Sequence, residues 1–95
     1  MKKELIWLPE AKEDIARLHE FLQKKSIEAA SRMIDLLLNG SDQLIDFPEI
    51  GKPLGDKLKR RELFLAFGAG AYVLRYVLTK KNIVVIRVWH SRELR

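Results

Sequence analysis

Apolar positions in the C-terminal third of the chain come in runs, not at helical spacing. Residues 61–67, 71–78 and 83–89 are dominated by Leu, Val, Ile, Phe, Tyr and Trp. Such side chains fit a pleated surface, and this composition predicts three β-strands. The separators, Gly68-Ala69-Gly70 and the polar stretch 79–82, are short enough for hairpins, so the three runs predict an antiparallel meander. Side chains alternate between faces along a strand. Tyr72, Leu74, Tyr76 and Leu78 therefore oppose Val73, Arg75 and Val77, and Ile83, Val85, Arg87 and Trp89 oppose Val84, Ile86 and Val88. Both faces read as apolar, whereas a sheet with one wet face alternates apolar with polar.

Upstream the period changes to that of a helix. Ala11, Ile15, Leu18 and Leu22 share one stripe over 9–23, with Pro9 suited to the first turn and Glu10, Glu13 and Asp14 at the positive end of the dipole. Ser26 is placed to cap a second helix reaching to about residue 46. Its stripe is Ile27, Ala30, Ile34, Leu37, Leu38, Leu44 and Ile45, with Gly40 as a weak point inside it. Lys24-Lys25 leaves room only for a tight turn, so the two helices form a hairpin that covers one face of the sheet. Residues 3–8 predict a short edge strand containing Trp7, and 47–55, rich in Pro and Gly, a loop. The fold class is α+β, in the order β-α-α-β-β-β, with the hairpin on one face of a small twisted antiparallel sheet. The second face is left for a partner.

Length allows one domain over 1–95. The net charge of +5 conceals an imbalance: residues 1–50 hold seven Lys/Arg against ten Asp/Glu, and 51–95 hold eleven against three. A basic sheet half favours an anionic partner, nucleic acid or an acidic protein. The chain lacks cysteine, which excludes thiolate chemistry. Its two histidines, His19 and His90, stand in no metal-ligand spacing, so neither metal nor cofactor is expected. The apolar patch at 5–8 is too short for a signal peptide or a membrane span, and a cytoplasmic protein without membrane contact is expected.

In this order, Trp7-Leu-Pro-Glu-Ala11, Asp14-Ile15, Ala29-Ala30, Phe47-Pro-Glu-Ile-Gly51, Arg61-Glu-Leu63, Tyr72-Val-Leu-Arg-Tyr76 and the run from Ile83 to His90-Ser-Arg92 carry a resemblance. The chain resembles the RelE/ParE superfamily of bacterial toxins from type II toxin–antitoxin systems, and within it the ParE (plasmid-stabilisation) branch. The resemblance implies a cognate antitoxin that wraps the toxin. It also implies one of two actions: inhibition of DNA gyrase, as in ParE-like toxins, or ribosome-dependent mRNA cleavage, as in RelE-like ones.

RNA cleavage needs an activated 2′-hydroxyl and donors placed around the developing charge. The superfamily nucleases imply lysines before the second strand of the meander's approach, an arginine in the middle strand, one after the last strand and a C-terminal tyrosine. Lys57, Lys59 and Arg92 match. Val73 stands where the middle arginine is implied, Arg75 lies two residues further on, and no tyrosine follows the last strand. His90 is a possible base by residue type. These departures favour the gyrase inhibitor over the nuclease set Lys57, Lys59, Arg75, His90 and Arg92. For target or antitoxin binding the candidates are Lys57, Lys59, Arg60, Val73, Arg75, Val77, Val84, Ile86, His90 and Arg92. An ion pair is the expected role of Arg75, and packing or stacking that of Arg87. A third possibility is a non-toxic RNA- or protein-binding member of the fold, with bases stacked on Tyr72 and Tyr76.

Overall fold

The structure, a computed structural model, describes residues 2–93. Strand β1 (Glu4–Trp7) leads into helix α1 (Pro9–Gln23), α2 (Ile27–Asp46), the two-residue strand β2 (Lys52–Pro53), and strands β3 (Arg61–Phe67), β4 (Gly70–Leu78) and β5 (Asn82–His90). The five strands form one sheet in the order β1-β5-β4-β3-β2. Pro9 opens α1 as expected, and the Ser26 hydroxyl accepts the N–H of Ala29 at 3.1 Å to start α2.

The sheet is mixed, not wholly antiparallel. The meander β3-β4-β5 and the β2–β3 rungs are antiparallel, but β1 runs parallel to β5, with Leu5 opposite Ile83 and Trp7 opposite Val85. Apolar patterning reveals a strand but not its direction. Parallel neighbours need a long connection, and here it runs through both helices and strands β2 to β4. The expected loop at 47–55 also contains β2, two rungs long.

The helix-facing core unites Leu18, Met33, Leu37 and Leu44 with Leu63, Leu65, Tyr72, Leu74, Tyr76, Ile83, Val85 and Val88. On α2 the buried positions are Ala30, Met33, Leu37, Gly40, Ser41 and Leu44, whereas Ile27 and Leu38, expected in the stripe, are exposed. Gly40 is a contact surface, not only a weak point. A Cβ there would stand 2.7 Å from Leu65 Cδ2 and closer still to Cδ1, so glycine lets the helix approach β3.

The alternation expected for β5 fails at one place. Arg75 pairs with Arg87 but the next residue, Tyr76, pairs with Val85, so Ile86 is an extra residue on β5. This bulge reverses the faces beyond it. Val88 joins the helix-facing core with Ile83 and Val85, and Trp89 opposes Val73 on the other side.

Candidate functional site

The bulge falls where β1 has stopped. Among the described residues no strand pairs with the outer side of β5 beyond Val85, and Asp14, in the second turn of α1, takes that place. Its Oδ2 accepts the Val88 N–H at 2.9 Å and Arg87 Nε at 2.8 Å, and its Oδ1 accepts Arg87 Nη2 at 3.0 Å. Burial pushes the Asp14 carboxyl up. The hydrogen bonds from Arg87 and Val88, with the charge of Arg87, outweigh burial and hold it below the ordinary carboxylate value. Arg87 is therefore an ion-pair partner, which corrects the packing or stacking role expected from unbroken alternation. Its place in α1 predicts only a dipole contact for Asp14, and the bond to β5 is a feature of the fold.

On the sheet face away from the helices, Phe64, Val73 and Trp89 lie on one cross-strand rung. Val73 is only 2% exposed, so it is closed off by its own neighbours and not available to a partner in this conformation. Arg75 donates to Glu62 Oε2 through Nε (2.9 Å) and Nη2 (2.6 Å), and its guanidinium lies 4.8 Å from the Trp89 ring centroid. The cross-strand ion pair caps this part of the sheet. Val77, Val84 and Ile86 are half-buried, and Phe64 is 54% exposed. The second face is thus partly closed by its own residues, and its open part is narrower than alternation alone predicts.

At the end of the meander, His90 packs edge-on against Tyr72 (5.0 Å between centroids), and its Nδ1 accepts the N–H of Arg92 at 3.1 Å. Glu93 ties the same turn to α1, accepting from the His90 N–H (3.0 Å) and from Arg17 Nη1 (2.8 Å). Between this turn and the second half of α1 lies an open groove of about 670 Å³, lined by apolar residues that include Leu18, Phe21 and Tyr72 and by the charged Arg17, Lys25, Arg92 and Glu93. Sequence reasoning missed this groove. The available signal was Phe21, off the α1 stripe and 59% exposed, with Lys25 one turn on and 4.7 Å from its ring.

Lys57, Lys59 and Arg60 sit on the excursion between β2 and β3. Lys57 and Lys59 are exposed, whereas Arg60 donates from Nε to Asp56 Oδ2 at 2.6 Å. The Asp56 carboxyl also takes the Arg60 N–H, and these bonds lower its pKa. The loop before it is anchored to the core. Tyr76 donates its hydroxyl hydrogen to Pro48 O (2.7 Å) and accepts the Gly51 N–H (2.9 Å), while Arg61 Nη1 donates to the carbonyls of Glu49 (2.9 Å) and Gly51 (2.8 Å).

These groups do not converge. Strands β3 and β5 are both antiparallel to β4, so residues before β3 and after β5 lie at opposite ends of the sheet. The rung of Arg61 and Tyr76 is four residues from the rung of Tyr72 and His90, or about 13 Å along the strand. Lys57 and Lys59 precede the first rung and Arg92 follows the second. A single scissile phosphate needs its acid, base and charge-stabilising donors within hydrogen-bond reach. Tyr72 and Tyr76 are 2% and 0% exposed under the helices, which overturns the stacking platform for RNA. Among the described residues no group of three or more His, Cys, Asp or Glu stands ready to hold a metal ion. Nor is any helix there long and apolar enough to cross a membrane.

A chain described as the chromosomal ParDE TA system from P. aeruginosa has the same fold: TM-score 0.70 at 14% identity, over 92% of this chain and 94% of that one. The family model for the ParE toxin of type II toxin–antitoxin systems, parDE, matches residues 5–95. Two toxins of Caulobacter vibrioides are similar over most of their length. Toxin RelE3 is 36% identical over 92% of both chains, and Toxin RelE1 is 38% identical over 90% of this chain and 89% of its own. The chain belongs to the ParE toxin family of type II toxin–antitoxin systems, whose toxins have a cognate antitoxin as partner.

Proposed function

We propose that this toxin acts in the cytoplasm by binding and inhibiting DNA gyrase, without cutting RNA, and that its antitoxin neutralises it by covering the end of the sheet at His90 and Arg92 and the adjoining groove. The observation that carries the first part is the separation of the nuclease candidates. Lys57 and Lys59 lie at one end of the sheet, and His90 and Arg92 at the other, while Arg75 is engaged by Glu62. Membership of the ParE family supports gyrase as the target. For the antitoxin, the support is a groove of mainly apolar lining in which Arg17, Lys25 and Arg92 outnumber Glu93, suited to an amphipathic segment carrying acidic residues.

Expression with and without the cognate antitoxin tests the proposal. Gyrase inhibition predicts growth arrest with a DNA-damage response while translation continues. Early translation arrest with cleaved mRNA, abolished by Arg75→Ala and Arg92→Ala, would instead establish the nuclease.

A further inference from the structure

The excursion between β2 and β3 displays an unusual tip. Five residues, 55–59, are enclosed by the Leu54 N–H donating to Arg60 O at 2.9 Å, which adds one rung beyond β2. Asp56 closes the turn from inside: its carboxylate takes the Arg60 N–H at 3.0 Å and its carbonyl takes the Lys59 N–H at 3.2 Å. Lys59 is held at φ 56°, a left-handed conformation that a lysine pays for and that the Asp56 bonds retain. The turn is therefore pre-shaped, and it presents Leu58 outward at 69% exposure, with Lys57 and Lys59 exposed on either side and Leu54 at its base. Neither lysine enters an ion pair among the described residues.

A turn with no partner is served by polar residues at its tip. Here an aliphatic side chain stands between two unpaired cations on a backbone that has already lost its freedom, so little ordering entropy remains to be lost on contact. The chemistry also discriminates between partners. Single-stranded nucleic acid is gripped by cations beside aromatic rings that stack on bases. Residues 54–60 contain no aromatic side chain, and the sheet tyrosines are buried. Leucine between lysines instead complements an apolar depression bordered by carboxylates on a protein.

We propose that the tip formed by Leu54, Lys57, Leu58 and Lys59 is the surface with which this toxin grips its target protein, Leu58 filling an apolar depression and the lysines meeting acidic side chains around it. The proposal rests on the gyrase reading above and identifies its contact surface. The tip lies at the opposite end of the sheet from the groove at His90 and Arg92, so target and antitoxin are engaged mainly by different surfaces.

The test is inhibition of supercoiling by purified gyrase, titrated with the full chain and its variants, alongside the Kd of each for the purified cognate antitoxin. Leu58→Ser, and separately the double variant Lys57→Glu with Lys59→Glu, are expected to raise the half-inhibitory concentration at least tenfold. Leu58→Met is expected to stay within about twofold of the parent, and all variants to keep the parent's antitoxin Kd within about threefold. Thermal melts of these exposed-site variants separate loss of contact from loss of fold. Parent-like inhibition by Leu58→Ser overturns the proposal. An equal loss of antitoxin binding overturns the assignment of the tip to the target. A parent chain that leaves gyrase untouched overturns the gyrase reading and this surface with it.

Discussion

Asp14 and Arg87, 73 positions apart, form a two-point ion pair across the bulge in β5, and the same carboxylate takes the Val88 N–H. The arrangement ties α1 to the sheet edge that β1 leaves open. Asp14 is almost fully buried, whereas Arg87 keeps access to solvent. The loss on mutation therefore falls chiefly on the unpaired Val88 amide. Asp14→Ala is expected to destabilise the fold by about 2 kcal/mol. For a chain this size that lowers Tm by roughly 10 °C. Calorimetry checks it, and a shift under 2 °C would show that the pair is incidental.

The pH dependence of this contact has a defined sign. The folded-state pKa of Asp14 lies below the ordinary value of 3.8. The stability it contributes is therefore fully present above the ordinary carboxylate range and is lost as pH falls through the folded value. The stability gap between the parent and Asp14→Asn is expected to be constant between about pH 5 and 7 and to shrink below about pH 4. Urea melts across that range measure it. Arg87→Ala is expected to move the Asp14 titration upward, read from its carboxyl carbon by NMR.

Tyr76 joins the core to the loop before β2. Tyr76→Phe leaves the Gly51 amide and the Pro48 carbonyl without that hydroxyl and is expected to cost about 1–3 kcal/mol. Gly51→Ala places a Cβ 2.5 Å from the same hydroxyl and is expected to cost about as much through overpacking. Both variants should open residues 48–51 to proteolysis before the sheet unfolds. A loop as protected as the parent's would contradict this anchoring.

Gly40 and Leu65 form a coupled pair. Alanine at 40 is favoured over glycine by about 1 kcal/mol in an exposed helix interior. Overpacking against Leu65 costs about 1–3 kcal/mol, so Gly40→Ala is expected to be neutral to destabilising alone. In a Leu65→Ala background, where the space is vacated, the same change is expected to stabilise. A double-mutant cycle measures the coupling, and additivity within about 0.5 kcal/mol would rule it out.

The course of the chain is legible in the sequence because its elements rest on local signals. Pro9 and Ser26 mark helix starts, and the runs ending at Phe67, Leu78 and near Trp89 mark strands within a residue of their observed bounds. What local patterning does not encode is the extra residue at Ile86. A bulge leaves composition unchanged yet moves Val88 inward and Trp89 outward, so strict alternation misplaced them and Arg87 with them. The parallel course of β1 was hidden for a similar reason, since direction depends on the crossover and not on Leu5 or Trp7. Among the site candidates, the lysines of the β2–β3 excursion are exposed as their charge implies. Arg75 forms the ion pair expected of it, with Glu62 across the β3–β4 rung, whereas the burial of Val73 and the engagement of Arg60 by Asp56 depend on packing and turn geometry that spacing does not reveal.

The measurement that bears most directly on the account is a supercoiling titration with purified gyrase, run in parallel with ribosome-dependent cleavage of a defined mRNA by the same preparation. Gyrase inhibition predicts that supercoiling is blocked, that a stoichiometric amount of the cognate antitoxin restores it, and that the mRNA stays intact. Full gyrase activity at saturating toxin together with cleaved mRNA would contradict it.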